Sequence, residues 1–248
     1  MAKLSDADLE RPWTWPGKGL ADLRNAFFFI LVEEQDALVS ASTPTNDADR
    51  ILVLAQRAFG DLRGLLLSAP DALLDREPAP GEWSIRKTME HTIQVERSYR
   101  ANTQHALLRD DGDPLTLPAE RRPKADPADT AGDAAAMVAA LARRRAETDA
   151  TLAGTDADRL SRPSQWSATD TPFDVDVRFR LHRFGAHLVE HTQQVEKTLR
   201  ALGQRETDAQ AYVRQISIIR GRHERRSSEG ARKRLDDQMT AVADAAGT

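Results

Sequence analysis

The segment DVDVRFRLHRFGAHLVEHTQQVEKTLRAL, residues 174–202, decides which fold the sequence can adopt. Its apolar residues recur every three or four positions, which is the period of one buried face of an α-helix. This stripe consists of Val177, Leu181, Phe184, Leu188, His191, Val195, Leu199 and Leu202. Gly203 follows at once and is a typical helix stop. We therefore predict a helix over about 174–202 with one face in a core.

The same period predicts three more helices upstream, over about 49–69, 85–108 and 134–152. Ser84 and Asp133 are good N-caps for the second and third of these. Long polar connections at 109–133 and 154–173 favour a four-helix bundle in which consecutive helices are not all neighbours. Additional helices are predicted over about 18–40 and from near Asp208 into an Arg-rich segment. No run alternates with period 2, so we predict an all-α chain without a sheet.

The composition is that of a soluble globular protein, with 40% hydrophobic and 30% charged residues and a formal net charge of −4 over 248 residues. Cysteine is absent, which excludes disulfides, thiolate metal ligands and a cysteine nucleophile. Any sulfur chemistry would need a thiol from a small molecule. The longest apolar run, residues 26–32, is too short for a bilayer, which needs about 20 residues. We expect a cytoplasmic protein with no membrane partner.

Three histidines are candidates for a metal site. His187 and His191 are four residues apart, so both project from the apolar side of the last bundle helix. His91 lies mid-helix, where it can face inward. Buried imidazoles cost free energy unless their nitrogens have partners, and a metal ion would satisfy all of them. The residues alone leave open the alternative that these are hydrogen-bonded core histidines.

The other three histidines are poor candidates for the same site. His105 lies about four turns beyond His91 on one helix, and His182 points to a different side of its helix from His187. His223 lies in a charged tail. Position therefore selects His91, His187 and His191.

One combined motif resembles a known family. Pro80-Gly81-Glu82-Trp83-Ser84-Ile85-Arg86 is followed by His91, and His187-Leu188-Val189-Glu190-His191 comes later. Order, helix placement and separation resemble the DinB/YfiT-like family over about residues 48–203. The resemblance implies an up-down-down-up four-helix bundle. It also implies a metal site at one end of the bundle, with the ligands His91, His187 and His191. Trp83 would pack to fix a helix start.

The resemblance also implies a domain organisation. The bundle would occupy residues 48–203. Residues 1–47 would form an N-terminal extension with one helix, and residues 204–248 an Arg-rich helical C-terminal extension. Thr192-Gln193-Gln194 lacks the acidic residue that resembles the ergothioneine-type pattern, which disfavours that subgroup.

The family includes mycothiol- and bacillithiol-dependent transferases and isomerases. The resemblance therefore implies a divalent metal, zinc first with nickel or iron as alternatives, and a low-molecular-weight thiol. The Arg- and Ala-rich composition favours mycothiol over bacillithiol. A metal-dependent hydrolase and a non-catalytic metal- or ligand-binding bundle remain alternatives. The residues identify no general base, because Glu90, Glu190 and Glu196 are equally typical of solvated helix faces.

Two features outside the bundle bear on partners. Residues 214–234 carry eight basic and two acidic side chains. Without interleaved aromatic residues, this favours a solvated helix docked on an acidic body over a nucleic-acid interface. The run Phe27-Phe28-Phe29-Ile30-Leu31-Val32 predicts either an extra helix buried on the bundle or a homodimer interface. We expect the main partner to be a small-molecule substrate.

Overall fold

The structure is a computed structural model that describes residues 4–15, 19–167 and 171–246. Helices make up most of it. In chain order, the elements are β1 Pro12–Trp15, β2 Gly19–Asp22, α1 Leu23–Ser40, α2 Asp47–Leu67, α3 Ile85–Leu108, α4 Ala134–Leu152, α5 Ala157–Leu160, β3 Pro163–Trp166, β4 Phe173–Asp176, α6 Val177–Ala201, α7 Asp208–His223 and α8 Glu229–Ala246. No described helix is long and apolar enough to cross a bilayer.

Helices α2, α3, α4 and α6 form the predicted bundle. The first turns of α2 and α6 meet in an ion pair between Asp47 and Arg178 at 2.7 Å, so these two helices are parallel. The start of α2 also accepts a hydrogen bond from the far end of α4, where the Gly154 amide lies 3.0 Å from an oxygen of Asp49. Helices α2 and α4 are therefore antiparallel.

The other two pairings follow from contacts of α3. Near its start, Arg86 donates to the carbonyl of Gly132, just before α4, so α3 and α4 are parallel. Near its end, the Ala106 carbonyl accepts from Arg162, which comes shortly before α6, so α3 and α6 are antiparallel. This confirms the up-down-down-up arrangement. Its parallel pair, α3 and α4, requires a connection that runs the length of the bundle, which explains the long segment at 109–133.

Side-chain caps set most helix boundaries. Ser84 accepts from the amide of Lys87 at 3.2 Å, and Asp133 accepts from the amide of Ala136 at 2.8 Å. These caps satisfy backbone donors that have no partner within the helix. Helices α3 and α4 accordingly span the predicted residues. Helix α6 begins at Val177 instead of residue 174, because the preceding residues pair as a strand.

The prediction that the chain has no sheet was wrong. Strands β1 and β2 form one antiparallel hairpin, and β3 and β4 form another. Each strand has four residues, which is too short for alternation to stand out in the sequence. The first hairpin also moves the start of α1 from the predicted Lys18, which lies outside the described residues, to Leu23 behind the cap Asp22.

Of the extra helices, α7 packs against α2 of the bundle, and α1 packs mainly on α7 and α8. Phe27 and Ile30 of α1 are buried against α7 and α8, whereas Phe28 is 51% exposed. The run therefore lies in a partly buried helix, but its main partners are α7 and α8, whereas burial on the bundle itself was predicted. The division of the chain at residues 47/48 and 203/204 stays a prediction.

The Arg-rich segment is not one helix but two, α7 and α8. Several of its basic side chains form ion pairs with acids elsewhere in the chain. The pairs are Arg214 with Asp61, Arg220 with Glu34 and Arg225 with Asp149. This agrees with the predicted docking of the segment on an acidic body.

Glycines allow α7 to lie very close to α2. A Cβ built at Gly60 would lie 2.4 Å from the backbone oxygen of Ser217, and one built at Gly221 would lie 2.5 Å from the backbone oxygen of Gln56. Real Cβ atoms do not approach a backbone oxygen this closely, so either side chain would force the helices apart. The tight docking of α7 thus depends on glycine at these two positions.

We predict that Gly60→Ala lowers the free energy of unfolding by about 1–3 kcal/mol, because overpacking outweighs the better helix propensity of alanine. The matched control is Gly230→Ala in the first turn of α8, where a Cβ meets nothing within 4 Å. That variant should be neutral or up to about 1 kcal/mol more stable. Urea unfolding of the full chain measures both. Equal stability of the two variants would contradict the close approach of α2 and α7.

Candidate metal centre

The antiparallel pairing of α3 and α6 brings the three predicted histidines together. Their ligand nitrogens all lie within 4.8 Å of one another. The Nε2 atom of His187 lies 2.8 Å from Nε2 of His191 and 3.3 Å from Nε2 of His91. His187 and His191 are buried, and His91 has intermediate exposure. The three imidazole rings therefore converge through the same nitrogen.

This arrangement fits a divalent metal ion. Imidazole nitrogens bind zinc at about 2.0–2.1 Å, which places tetrahedral ligands about 3.4 Å apart. The observed separations of 2.8 and 3.3 Å are close to that value. Three imidazoles are also a known catalytic donor set, which leaves a further coordination position for water or substrate.

Gln194 fixes which nitrogen of His191 is free. The Nδ1 atom of His191 lies 2.9 Å from Oε1 of Gln194. With Nδ1–H donating to this oxygen, Nε2 of a neutral ring carries the lone pair and faces the other histidines. Partners of this kind fix the tautomer and orientation of a ligand ring.

Burial keeps the rings of His187 and His91 neutral. It lowers the pKa of His187 to about 2, and the neighbouring His191 and His91 add to this effect. The pKa of His91 is lowered as well, chiefly by burial and then by His191. Neutral imidazole is the form that binds a metal ion, so no deprotonation step is needed at neutral pH.

Aromatic side chains surround the cluster. The Trp83 ring lies 5.1 Å from the His91 ring, and the Tyr99 ring lies 5.5 Å from the His187 ring. Trp166 packs on the other side of Tyr99, with ring centroids 5.2 Å apart. Trp83 was expected only to fix the start of α3. It also covers one of the three histidines, although its side chain is 40% exposed.

The carboxylates near the cluster on α3 and α6 are solvent-facing or paired. Glu90 binds Lys87 at 2.8 Å, Glu190 is exposed, and Glu96 is buried in an ion pair with Arg145 at 2.8 Å. The described three-histidine group contains no carboxylate. The geometry therefore gives no direct general base.

The other histidines lie elsewhere. Nε2 of His105 is 2.9 Å from the carbonyl oxygen of Pro114, and His182 is exposed. His223 is fully buried between Glu34 and Ser227, not in an exposed tail. None of the three belongs to the cluster.

Sequence reasoning missed three residues around the site. Gln194 lies three positions after His191, which places both on one helix face, and this spacing was a usable signal. Tyr99 lies eight positions after His91 on α3, so the helical repeat could also have found it. Trp166 lies on the second hairpin, and nothing local in the sequence indicated that it would reach α3.

Comparisons with known proteins agree with this geometry. A family model of the DinB superfamily matches residues 54–195. A solved structure, YfiT from Bacillus subtilis, superposes with a TM-score of 0.52 at 16% sequence identity. The superposition covers 66% of this chain and 92% of that one. YfiT is described as a probable metal-dependent hydrolase with an unusual four-helix bundle topology.

A comparison with curated proteins finds no match. The YfiT likeness supports the fold, and the family match covers more than half of the chain. The up-down-down-up bundle and the converging histidines are what the resemblance in the sequence led us to expect. The chain belongs to the DinB superfamily.

Proposed function

We propose that this chain is a metal-dependent enzyme that uses a low-molecular-weight thiol at a site formed by His91, His187 and His191. The observation that carries the proposal is the convergence of three imidazoles through Nε2. A divalent ion there would supply Lewis-acid chemistry, lowering the pKa of a coordinated thiol or water so that it is deprotonated at neutral pH. The reaction class is S-transfer or isomerisation of a small-molecule substrate.

Two features favour a thiol over water as the nucleophile. The chain has no cysteine, so sulfur chemistry must use an external thiol. The described cluster also lacks a carboxylate to act as general base. A thiol has an unperturbed pKa near 8.5, so charge stabilisation alone ionises it at neutral pH. Water is much harder to ionise, and a general base usually has to assist the metal ion.

The residues of the chain have distinct roles in this proposal. The three histidines hold the ion, and Gln194 keeps His191 in the ligating tautomer. Trp83 and Tyr99 lie over the imidazole rings and keep bulk water away from them. Excluding water strengthens every electrostatic interaction inside the site.

A metal-dependent hydrolase is the second candidate. The description of YfiT favours it, as does the ability of three imidazoles to hold an ion that ionises water. In that case the same three histidines would act, and no thiol would be required.

We predict that replacing any one of His91, His187 and His191 with Ala reduces bound metal by at least about tenfold, because each removes one of three protein ligands. His105→Ala and His182→Ala are the matched controls and should retain full metal content. Elemental analysis of untagged full-length protein measures the metal. Stoichiometric metal in the His187→Ala variant would contradict the proposed three-histidine site.

Gln194→Leu should lower metal affinity by about 10–100-fold, the usual effect of losing a partner that orients a ligand ring. Its control is Gln193→Leu, which changes an exposed neighbour two positions after His191, on a different side of α6. Competition with a chromogenic chelator gives both affinities. If the two leucine variants bind metal equally well, Gln194 has no role in orienting His191.

For the metallated protein, we expect one of mycothiol, bacillithiol and glutathione to bind through its sulfur and release a proton. The cobalt(II)-loaded protein should show a thiolate-to-metal absorption band. Calorimetry in buffers of different ionisation enthalpy should count the proton. The matching analogue with an alcohol in place of the thiol should bind at least about tenfold more weakly, because alcohols ionise far less readily.

Two results would decide against the thiol. One is failure of all three thiols to bind fully metallated protein, and the other is binding that survives metal removal. Metal-dependent ester hydrolysis without thiol would then favour the second candidate. The absence of both activities would leave a metal-binding protein.

A further inference from the structure

A cavity of about 200 Å³ lies beside the three-histidine cluster. Its lining includes Ser98, Tyr99, Asn102, Arg122, Trp166 and Arg180. Tyr99 belongs to both places, because it lines the cavity and its ring also lies 5.5 Å from the His187 ring. A molecule in this cavity is therefore separated from the cluster by no more than one aromatic side chain.

Arg180 is the buried charge of this cavity. The residue is 4% exposed, and burial lowers the pKa of its guanidinium to about 10. Its Nε donates to Oγ of Ser164 at 2.6 Å, and Nη2 donates to the carbonyl of Gln165. Both acceptors are neutral, so they orient the guanidinium without neutralising its charge.

No carboxylate among the described residues forms an ion pair with Arg180, and its Nη1 makes no hydrogen bond there. Arg145, which is buried in the bundle core, shows the usual solution instead, since it binds Glu96 and Asp149. An uncompensated buried charge is costly, and it is commonly retained where a ligand supplies the opposite charge.

A second arginine packs on Trp166, and a third lies at the rim of the cavity. The guanidinium carbons of Arg180 and Arg183 lie 5.6 and 5.3 Å from the Trp166 ring centroid. The Nε of Arg183 is buried and has no hydrogen-bond partner in the described part of the chain. Arg122 adds an exposed guanidinium at the rim. The described lining of the cavity thus contains two positive charges, Arg122 and Arg180, and no acid.

We propose that this cavity binds a carboxylate of an organic molecule, with Arg180 as the principal contact and Arg122 at the entrance. Resting on the proposed function, this makes the small-molecule substrate an organic acid whose charged end lies here while its reacting end faces the histidines. Aromatic walls from Tyr99 and Trp166 suit the carbon skeleton of such an acid. They suit a heavily hydrated inorganic anion poorly.

The test uses full-length, cobalt(II)-loaded protein and the probe 4-fluorobenzoate, which is small enough for the cavity. Fluorine NMR titration should show it binding at least about tenfold more tightly than the neutral 4-fluorobenzamide. Arg180→Gln should remove this preference. The matched control, Arg178→Gln, removes an exposed guanidinium two residues away on α6 and should keep the preference. Inorganic phosphate should compete weakly.

The cobalt spectrum separates the cavity from the metal. Carboxylate in the cavity should leave the visible bands nearly unchanged, whereas carboxylate on the metal would shift them. A preference that persists in Arg180→Gln, or that shifts the cobalt bands, overturns the proposal. If Arg180→Gln fails to fold, Arg122→Gln takes its place and should weaken 4-fluorobenzoate but not 4-fluorobenzamide. Equal affinities for the two probes in wild type also overturn the proposal.

Failure of this proposal and failure of the proposed function are distinguishable. If the thiolate-to-metal band forms normally in a protein that shows no preference for the carboxylate probe, only the cavity proposal is contradicted. If the protein binds no thiol but prefers the carboxylate probe in a way that depends on Arg180, the cavity proposal is supported. The proposal that the enzyme uses a thiol is then contradicted.

Discussion

The arrangement of this molecule depends on three imidazole lone pairs that meet inside a helix bundle. Burial lowers the pKa of His187 to about 2 and lowers the pKa of His91 as well. Neutral rings that meet through Nε2 have too few N–H protons to form hydrogen bonds with one another. A cation is therefore the natural partner of these nitrogens. The antiparallel pairing of α3 and α6 brings His91 next to His187 and His191, which are four residues apart on α6. The parallel course of α3 and α4 in the same bundle requires the long connection at 109–133.

Much of this could be predicted from the sequence, because the deciding signals are local. The caps Ser84 and Asp133 and the apolar period gave the spans of α3 and α4, and the spacing of His187 and His191 gave one side of the cluster. The hairpins could not be found in this way. Their four-residue strands are too short to show a period, and the place of Trp166 beside Tyr99 depends on a crossover that brings residues 67 positions apart into contact.

The sequence also failed to predict which charged residues are buried, and the reason is physical. Glu34 and His223 resemble surface residues in a charged sequence, yet both are fully buried and lie 2.6 Å apart. A charge is buried only where a partner compensates for lost hydration, and here the partner is 189 residues away. The same holds for Arg145 and Glu96 in the bundle core. Local patterns record amphipathicity but not such long-range pairs, so buried ion pairs in an Arg-rich chain resemble solvated helix faces.

Neutral, positively charged and acidic side chains occupy different places around the site. At its centre are three imidazoles, and beside them is the Arg180 guanidinium, held in place by two neutral acceptors. Acids are kept to the outside or paired, as Glu90 is with Lys87 and Glu96 with Arg145. An ion held by the histidines would therefore retain its full positive charge, and the neighbouring cavity would add more. Under the two proposals above, such a region would favour anions at both ends of a reaction, a thiolate on the metal side and a carboxylate on the arginine side. Because these attractions act at low dielectric, they are stronger here than the same charges would be in water.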